Sequence, residues 1–575
     1  MKATETKPWL KHYDPEKLKL QMPDLMIMDY LLWRNADNVN VVSLSYYDNE
    51  ITFAEMYANI CKTANAYASL GVKDGDVVVV VSATTPEIVY TFYALSMIGA
   101  IPDIIDPRYN PDGIRHFIDE AGAKLVLTLD VAYEKVIEAI PGSTVEKVIV
   151  LSPSESLPQP LKFLYGLKNP LKKDMPEGFM HWHDFVEQGK NFEVEYLHTG
   201  TDRCCVIVHT GGTTGMAKSV MLSHKNINNV HFQYRKSHMT SSYGKDKFLN
   251  VMPAFISYGL GYGVHLPLSS KMTSVIIPQL EPENLAKLLL KYKPADIAGT
   301  PAHMQVMIKD KRLKNADLSF FKNCCCGGDS IAVPIEEEVN AFLKAHGAPY
   351  PLTKGYGMTE LSAVSTACML NFNRLGSVGI PHADFLIAAF DPETGEELEI
   401  GQEGEICIHG PTMMLGYYKN QAETDHIIRT HADGLKWVHT GDLGYMDEDG
   451  YVFIKGRLKR MIINHDGFKI FPTALENVIT KHEWVETCSV VGTKAVKHFR
   501  GQTPYAFVKL KDGCPKSEAE IEKELRELCL KDLPEYMQPE YYRFVKELEY
   551  TPIGKVDTKK LEAMALEDVT STVTA

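Results

Sequence analysis

Apolar runs alternate with amphipathic stretches along most of the chain, and this alternation predicts an α/β fold. Residues 76–81 form a continuous β-branched run, which is typical of a strand buried on both faces. Thr52 and Glu55 have the spacing of a capping box, apolar positions then recur at helical spacing, and Gly71 follows as a stop signal. Further strands are predicted at 100–105, 124–129 and 145–151. We therefore expect a layered domain with a largely parallel sheet.

The alternation resumes after residue 200 and changes character twice towards the C-terminus. Strands are predicted at 204–208, 273–277, 296–298 and 324–326. From about Arg374 to Tyr417, short strands between Gly or Pro turns favour an antiparallel β subdomain. From about Lys459 onward a smaller α+β unit is predicted, with Thr473 and Glu476 forming the capping box of its first helix.

These elements predict an α/β protein with two domains of unequal size. The 575 residues suffice for three or four structural units of roughly 150 residues each. We expect a large N-terminal domain, residues 1–458, of layered α/β structure with the β subdomain. We expect residues 459–575 to form a small α+β domain.

Residues 152–200 interrupt this pattern with a proline-rich excursion that also contains several lysines. A short amphipathic helix is predicted around Leu161 to Leu167, and we interpret it as a surface helix rather than a membrane anchor. His181 and His183 could lie on one strand face, but no third ligand is nearby, so a surface loop is the favoured interpretation.

The net charge and the cysteine content limit which binding partners and which cellular compartment we expect for this protein. The net charge of −14 argues against an extended nucleic-acid face or an anionic membrane as the main partner, and leaves a local basic patch open. The N-terminal residues lack the apolar core of a signal peptide, and no apolar run reaches the roughly 18 residues of a spanning helix. The cysteines number eleven, and adjacent Cys324–Cys326 are interpreted as reduced core residues. We expect a cytoplasmic protein with no nucleic-acid partner and no stable membrane anchoring, and a homodimer stays open.

A loop rich in Gly and Thr directly follows the predicted strand at 204–208. Its sequence from His209 to Lys218 is His-Thr-Gly-Gly-Thr-Thr-Gly-Met-Ala-Lys. Unpaired backbone N–H groups, hydroxyls and one lysine suit an anion, above all a phosphate chain. A P-loop requires Gly directly before the Lys, whereas Ala217 precedes Lys218 here. The loop therefore predicts a phosphate site of another kind, with a loop that has no phosphate role as the alternative.

Three later segments carry groups that suit a nucleotide. In Lys354-Gly-Tyr-Gly-Met-Thr-Glu360, the ring can stack on a base, the hydroxyl can bind phosphate and Glu360 can hold Mg2+. In His439-Thr-Gly-Asp-Leu-Gly444, Asp442 can accept ribose hydroxyls or can simply form an Asx turn. Lys555 follows Gly554 near the C-terminus, where a lysine is ordinarily exposed and idle. For each segment taken alone, an ordinary structural role without nucleotide binding stays open.

Taken together and in order, the glycine loop, GYGMTE, TGDLG, GRLK and PIGK resemble the motifs of the adenylate-forming enzymes. This superfamily includes acyl-CoA synthetases, aryl-CoA ligases, luciferases and peptide-synthetase adenylation domains. The resemblance covers the chain from about Thr52 to Leu561. It implies an acyl-CoA ligase that uses ATP, Mg2+ and CoA to activate a carboxylic acid through an acyl-adenylate, as in fatty acid metabolism.

The resemblance also implies roles for individual residues. The implied ATP-binding residues are Thr210, Gly211, Gly212, Thr213, Thr214, Gly215, Lys218, Gly328, Asp329, Tyr356, Asp442 and Arg457. Lys555, Thr359 and Glu360 would be catalytic, with Glu360 also the metal ligand. Lys459 would be the hinge between a large N-terminal domain of layered αβαβα sheets and a small, mobile C-terminal domain. Gly467 and Phe468 would contact CoA. The implied acyl pocket comprises Phe255, Ile256, Tyr258, Gly259, His303, Gly327 and Gly355.

The sequence departs from the superfamily pattern at several of these positions. In the glycine loop, Gly211, Ala217 and Ser219 replace a serine, a proline and a glycine, so we expect weaker nucleotide contact without loss of activity. Many CoA ligases carry His where Ile256 or Ser257 stands, which puts the usual gate between the acyl and thiol tunnels in doubt. Asp466 stands where a neutral or basic residue is common, which weakens the case for contact with the phosphates of CoA there.

Glycines at 259, 261 and 263 either leave room for a long or bulky acyl chain or belong to a loop, and we favour the loop. Other activities compatible with the resemblance are an adenylation enzyme that loads a carrier-protein thiol and a non-catalytic nucleotide sensor. A luciferase-like oxygenase is the more remote alternative. The presence of Glu360, Asp442 and Lys555 argues against the sensor, which has no need of Lys555.

Overall fold

The computed structural model describes residues 1–574 apart from 38, 170–174, 211–216, 238–243, 279–281, 369–371, 495–500 and 552–554. Its first part alternates strands and helices as the apolar pattern predicts. The elements up to residue 188 are α1 Ala3–Thr6, α2 Pro15–Leu18, α3 Ile27–Asn35, β1 Val42–Tyr46, β2 Asn49–Thr52, α4 Phe53–Ser69, β3 Val77–Val81, α5 Pro86–Met97, β4 Ile101–Ile105, α6 Pro111–Ala121, β5 Leu125–Leu129, α7 Tyr133–Ala139, β6 Lys147–Leu151, α8 Gln159–Lys168, β7 Phe179–His181 and α9 Trp182–Gln188.

The capping box at the start of α4 is confirmed, because the Thr52 side chain and the Glu55 side chain bond each other's backbone N–H groups. Residues 78–81 of β3 are buried, which confirms a strand covered on both faces. The expected surface loop around His181 is wrong. His181 ends β7, and the buried ring of Trp182 begins α9, so burial of the ring fixes this segment.

The middle of the chain continues the alternation. Its elements are β8 Cys204–His209, β9 Ser219–Ser223, α10 His224–Lys236, β10 Lys247–Asn250, a π-helix Tyr258–His265, α11 Leu266–Ser269, β11 Thr273–Ile276, α12 Leu285–Tyr292, β12 Asp296–Gly299, α13 Pro301–Lys309, β13 Asn323–Cys326, α14 Val333–Ala345, β14 Thr353–Tyr356 and β15 Thr366–Ala367. The adjacent cysteines of β13 are buried free thiols, as expected.

Two large sheets, both mainly parallel, form the body of the molecule. The eight-stranded sheet has the order β7-β6-β5-β3-β4-β8-β9 followed by a strand at 416–417. The nine-stranded sheet has the order β2-β1-β11-β10-β12-β13-β14-β15 followed by a strand at 380–381. Parallel strands need helical crossovers, and these helices cover the sheet faces. The layered α/β prediction is therefore confirmed.

An antiparallel β subdomain follows and extends further than the sequence suggested. The elements of this region are β16 Ile380–Pro381, β17 Leu386–Phe390, β18 Gly404–His409, β19 Gly416–Tyr417, α15 Gln421–Ile427, β20 Ile428–Thr430, β21 Lys436–Met446 and β22 Val452–Arg457. β17, β18, β21, β20 and β22 form one antiparallel sheet that ends at Arg457 rather than near Tyr417. The N-terminal residues Trp9 and Tyr13 are buried in the apolar cluster of this subdomain.

The C-terminal part is a small α+β unit with its own apolar cluster. Its elements are β23 Ile462–Ile463, β24 Lys469–Ile470, α16 Pro472–Ile479, β25 Val485–Lys494, β26 Gln502–Leu510, α17 Glu518–Asp532, β27 Tyr541–Phe544 and α18 Thr558–Thr574. The boundary at residues 458 and 459 stays a prediction. Within the described residues, no helix combines the length and the apolar character needed to cross a membrane.

The predicted capping box of α16 is wrong. Phe471 occupies the N-cap position and Pro472 the first turn, where its fixed φ and missing N–H are tolerated, so Thr473 already lies inside the helix. Glu476 instead accepts a hydrogen bond from the Val490 N–H at 2.9 Å and pairs with Arg460 at 3.3 Å. It therefore ties α16 to β25.

Candidate active site

Asp442 lies where the nine-stranded sheet meets the β subdomain. It is opposite Arg457 in the antiparallel register of β21 and β22, and Nε of Arg457 lies 3.1 Å from its Oδ1. The hydroxyl of Tyr356, at the end of β14, donates to Oδ2 at 2.5 Å. Burial raises the pKa of Asp442, while the charge of Arg457 and the hydrogen bond from Tyr356 act to lower it. The carboxylate is thus held rigidly in a largely dry place.

Glu405 on β18 holds the turn that presents Asp442. Its Oε1 accepts the Gly441 N–H at 2.9 Å, and its Oε2 lies 2.8 Å from Nδ1 of His439. The Thr440 hydroxyl donates to the Ile406 carbonyl at 2.6 Å and accepts the Asp442 N–H at 3.1 Å. Burial opposes ionisation of Glu405, but the hydrogen bonds from His439 and Gly441 outweigh it and lower its pKa. The ionised carboxylate of Glu405 therefore holds this turn in place.

Glu405, Cys407 and His439 also bring potential metal-ligand atoms within 4.8 Å of one another. The contacts favour a hydrogen-bonded cluster over a metal centre, because both oxygens of Glu405 already have N–H partners.

Glu360 lies in a tight turn at the end of the GYGMTE segment. A Cβ on Gly357 would lie 1.7 Å from the Ala363 carbonyl oxygen, so only glycine permits this close return of the chain. The buried carboxylate of Glu360 accepts a hydrogen bond from the Tyr417 hydroxyl at 2.6 Å through Oε1. Within the described part of the chain, no hydrogen bond reaches its Oε2. A carboxylate oxygen without a donor is a hard ligand of the kind that suits Mg2+.

The two ends of the glycine loop are described, and they close on each other. The Thr210 N–H donates to the Lys218 carbonyl, and the Lys218 N–H donates to the Thr210 hydroxyl, both at 3.1 Å. The predicted phosphate-binding residues Gly211, Gly212, Thr213, Thr214 and Gly215 lie outside the described residues.

The side chain of Lys218 lies beside Tyr417, and Tyr417 in turn contacts Glu360. Its Nζ forms an ion pair with Glu423 and lies 4.8 Å from the ring centroid of Tyr417. The hydroxyl of Tyr417 in turn bonds Glu360. Tyr417 therefore couples the lysine of the glycine loop to the expected metal ligand.

Two of the departures from the superfamily loop have structural explanations. Ala217 is buried within an apolar cluster, so its methyl group serves packing. The hydroxyl of Ser219 donates to Glu120, and it lies 3.5 Å from Nδ1 of His209. His209 also bonds Asp103 at 2.6 Å through Nε2. A buried polar network therefore anchors the base of the loop.

Lys555 comes from the C-terminal unit and interacts electrostatically with the carboxylates of the other motifs. Burial lowers the pKa of Lys555 below its ordinary value. The negative charges of Asp329, Glu360 and Asp442 act against this lowering, and the positive charge of Arg457 adds to it. These interactions require proximity, so the fold brings one cation from the last segment to residues more than 100 positions earlier in the chain.

Lys555 is held locally by Thr551. The Lys555 N–H donates to the Thr551 hydroxyl at 3.2 Å, and the Thr551 N–H donates to the Lys555 carbonyl at 2.7 Å. Asp329 is exposed on the turn after β13, where Gly328 adopts a φ of +84°. A positive φ of this size favours glycine at that position.

Part of the predicted acyl pocket is brought together at the ends of β12, β13 and β14. A Cβ on Gly327 would lie 3.5 Å from both the Gly355 carbonyl oxygen and the Tyr258 hydroxyl. His303 caps α13, with Nδ1 at 3.0 Å from the Thr300 hydroxyl, and burial lowers its pKa to about 4. At neutral pH the imidazole is therefore uncharged, which suits an apolar pocket.

The glycines of the segment 259–263 behave differently from the expectation, because they lie in a π-helix rather than a loop. A Cβ on Gly259 would lie 1.9 Å from the Pro253 carbonyl oxygen, and one on Gly263 would lie 2.5 Å from the Asn250 side chain. Protein atoms thus fill the space beside these glycines. Close packing of this helix explains them better than room for an acyl chain.

Phe255 and Ile256 lie just before this helix. Phe255 is buried, its carbonyl accepts the His209 N–H at 3.4 Å, and the Arg108 guanidinium lies 5.6 Å from its ring centroid. Phe255 is therefore close to the base of the glycine loop. Ile256 is partly buried, and its N–H bonds the Pro253 carbonyl at 3.3 Å.

The predicted hinge and CoA residues lie beyond β22. Lys459 is in a short 3-10 turn, Leu458–Arg460, and its charge contributes after Lys218 to the lowered pKa of Glu423. Gly467, with a φ of +86°, turns the chain between β23 and β24. Phe468 is half exposed and stacks on Tyr536 with ring centroids 4.4 Å apart. The described contacts of Gly467 and Phe468 thus lie within the C-terminal unit.

The C-terminal unit docks on the larger body through polar contacts. Lys309 at the end of α13 pairs with Glu486 at 2.9 Å, and the Val333 N–H that begins α14 donates to Asn477 at 3.4 Å. Contacts of this kind can be broken and re-formed at small cost in solvent.

Sequence reasoning missed Tyr417, Glu423, Glu405 and Glu120, which hold the predicted site residues in place. No motif of the sequence links any of them to the site. All four act through contacts that only the fold creates.

Comparison with known proteins identifies similar families, sequences and structures. The model of the family described as AMP-binding enzyme matches residues 32–418, and that of the AMP-binding enzyme C-terminal domain matches residues 474–555. The chain is 30% identical over 569 residues to a long-chain-fatty-acid–CoA ligase of Bacillus subtilis, covering 96% of this chain and 97% of that protein. It is 31% identical to a probable 4-coumarate–CoA ligase of Dictyostelium discoideum, covering 87% and 88%. The crystal structure of ATP-bound MatB from Rhodopseudomonas palustris matches with a TM-score of 0.79 at 22% identity, covering 93% and 98%.

Proposed function

This chain belongs to the AMP-binding enzyme family as an AMP-forming acid–CoA ligase, and from that premise we propose which residues carry its two half-reactions. In the first, a carboxylate oxygen attacks the α-phosphorus of ATP and pyrophosphate leaves, which gives an acyl-adenylate. In the second, the thiol of CoA attacks the acyl carbon and AMP leaves. Activation is needed because the negative charge of a free carboxylate makes it a poor electrophile.

One observation supports the assignment of roles, namely that the buried Lys555 interacts electrostatically with Asp329, Glu360 and Asp442. In-line displacement spreads negative charge over the phosphate oxygens, so the protein mainly has to supply fixed cations and dipoles. Lys555 would bridge the attacking carboxylate and the α-phosphate. Burial lowers its pKa, while the charges of the three carboxylates favour its protonated form.

The remaining nucleotide contacts follow from the same arrangement. Asp442 would accept the ribose hydroxyls, with Arg457 holding its charge. Gly328, Asp329 and Tyr356 would line the adenine slot. The support is that the Tyr356 hydroxyl and the Asp442 carboxylate already touch, so base and ribose would be read by adjoining groups.

The phosphates would lie between Thr359, Glu360 and the glycine loop. Thr359 would contact the α-phosphate, and the loop from Thr210 to Lys218 would close over the β- and γ-phosphates. Glu360 and the Thr359 hydroxyl would hold Mg2+, which neutralises charge on the phosphate oxygens when bound. The hydrogen bond from the Tyr417 hydroxyl supports this role, because it orients the carboxylate of Glu360.

We propose an acid with an apolar body as the substrate. The region around Tyr258, Gly327 and Gly355 adjoins an apolar cluster that includes Tyr262, Cys325 and Val364, and the uncharged His303 lies beside it. Long-chain fatty acids and 4-coumarate, named in the relatives, are the first acids to test. All the cysteines are free thiols, which supports a reducing compartment such as the cytoplasm.

The second half-reaction requires Lys555 to leave and a thiol to enter. We propose that residues 459–575 rotate about Lys459 as one body, which removes Lys555 and brings Gly467 and Phe468 to the site for CoA. The polar docking contacts Lys309–Glu486 and Val333–Asn477 support a movable interface.

The test is pyrophosphate release over a panel of carboxylic acids, with and without CoA, for the wild type, Lys555→Ala and the control Lys559→Ala. We expect release with at least one acid, loss of most of it in Lys555→Ala, and a normal rate in the control. No Lys555-dependent release with any acid would overturn the proposal. Release without consumption of the CoA thiol would favour a carrier-protein acceptor instead.

A further inference from the structure

Helix α8, Gln159–Lys168, presents its apolar side chains to solvent. The relative exposures are 43% for Leu161, 68% for Phe163, 55% for Leu164 and 67% for Leu167. No residue of this helix is buried. A surface helix ordinarily turns its apolar side chains towards the core. The orientation of α8 is therefore reversed.

The polar residues of α8 attach it to the protein. Nζ of Lys162 donates to the Glu155 carbonyl at 3.0 Å and lies 3.4 Å from its carboxylate. The hydroxyl of Tyr165 donates to Asp130 at 3.3 Å. At about 100° per residue, the four apolar side chains cover an arc of roughly 160° on the opposite side. The inner contacts thus fix the apolar face outward.

The charge of α8 indicates which kind of surface its apolar face binds. Helix α8 contains lysines at 162 and 168 and no Asp or Glu, whereas the whole chain has a net charge of −14. Lys168 is exposed beside the apolar face, and a cation next to apolar side chains matches the two layers of an anionic bilayer, whose phosphates lie outside its acyl chains. A local basic segment can bind there although the protein as a whole is acidic, because screening limits the repulsion to about 8–10 Å.

We propose that α8 is an interfacial helix that docks the enzyme reversibly on an anionic lipid bilayer. Phe163, Leu164 and Leu167 enter the boundary between headgroups and acyl chains, and Lys168 stays at the phosphates. The helix has ten residues and lies in the plane of the surface rather than crossing it. One short helix gives weak binding, which agrees with a protein that exchanges between membrane and solution.

The test is flotation of the full-length protein with vesicles of phosphatidylcholine, with and without phosphatidylglycerol. We expect the wild type to float with the mixed vesicles, and to float less at high salt or with phosphatidylcholine alone. Leu164→Glu should reduce the bound fraction roughly tenfold, because it removes the burial of one leucine. The matched control is Leu530→Glu, since Leu530 is 58% exposed on α17 and should bind as the wild type does.

Three outcomes would overturn the proposal. These are no flotation of the wild type, equal flotation of Leu164→Glu and the wild type, and equal loss in Leu530→Glu. If light scattering instead shows that Leu164→Glu abolishes a dimer, the face binds a second copy of the chain. Pyrophosphate release without vesicles should be unchanged in Leu164→Glu, so failure here is distinguishable from failure of the proposed ligase chemistry. Lys168→Glu provides a second variant that alters charge without removing an apolar group.

Discussion

The hydroxyl of Tyr356 donates a hydrogen bond to the carboxylate of Asp442, 86 positions later in the chain. Tyr356 ends β14 in the nine-stranded sheet, and Asp442 lies on β21 in the β subdomain. This bond therefore joins two sheets at the proposed place of adenine and ribose. It also supplies Asp442 with a donor in a buried setting, where an unpaired carboxylate oxygen is costly.

Tyr356→Phe should weaken ATP binding while leaving the chemical step largely intact. Loss of a hydrogen bond to a charged group costs about 1.5 kcal/mol, so KM for ATP should rise roughly tenfold and kcat should change little. Pyrophosphate release measured against ATP concentration gives both constants. Tyr445→Phe, on the same strand as Asp442, is the control and should behave as the wild type. An unchanged KM in Tyr356→Phe would remove Tyr356 from the nucleotide site.

Tyr417→Phe should damage both stability and adenylation, because Tyr417 orients Glu360 and lies under Lys218. Without the hydroxyl, Oε1 of the buried Glu360 loses its donor, at a cost of about 1–3 kcal/mol in the free energy of unfolding. We also expect the Mg2+ concentration needed for half-maximal pyrophosphate release to rise several-fold. Urea unfolding and a magnesium titration measure the two effects.

Tyr418→Phe is the matched control for Tyr417→Phe, since the described structure gives its hydroxyl no hydrogen bond. The idea fails if both variants lose the same stability and keep the same magnesium dependence. That result would mean that Glu360 is held by its backbone contact with Met414 at 2.8 Å rather than by Tyr417.

The sequence predicted local features well and long-range partners poorly, for a physical reason. The capping box at Thr52 and the buried strand at 77–81 depend on neighbours a few residues away, and both are confirmed. The cap at Thr473 is wrong because Pro472 begins the helix earlier. The loop expected at 259–263 is a π-helix, because glycines that pack closely and glycines that bend a chain look the same in sequence.

The candidate site shows the same difference between local features and long-range contacts. Asp442 and Glu360 are nominated by short motifs, and their roles stay predictions, although the fold brings both near Lys555. Tyr417 and Glu405 could not be nominated. They act on residues 57 and 36 positions away, through contacts that depend on how the sheets pack.

Glu405→Gln should destabilise the protein at neutral pH, and this loss should shrink in acid. Folding lowers the pKa of Glu405 below its ordinary value of 4.5. The folded state therefore stabilises the ionised carboxylate relative to the unfolded chain. That stability is present above pH 4.5 and is lost as the pH falls through the folded pKa. We expect a difference of about 1–3 kcal/mol near neutral pH, from urea unfolding at a series of pH values.

The control for Glu405→Gln is Glu403→Gln, an exposed neighbour that pairs with Lys455 only at 3.7 Å and should change stability by less than about 0.5 kcal/mol. A loss in Glu405→Gln that stays constant with pH would show that packing, and not charge, holds the Gly441–Asp442 turn. KM for ATP should rise in the same variant, because the turn presents Asp442.

Lys459→Pro should separate the two half-reactions. Lys459 lies in the 3-10 turn directly after β22 ends at Arg457, so it follows the last residue paired with the body of the molecule. Proline fixes φ near −65° and blocks rotation about that bond. Since Lys555 already interacts electrostatically with Asp329, Glu360 and Asp442, pyrophosphate release should stay within about threefold of the wild type. Acyl-CoA formation should fall at least about a hundredfold, because the thiol step requires the rotated arrangement.

Quantifying acyl-adenylate and acyl-CoA in one reaction measures both half-reactions of Lys459→Pro. The control Lys459→Ala, which keeps φ free, should retain both. Equal loss of the two products in Lys459→Pro would place the pivot elsewhere or show that one arrangement serves both steps.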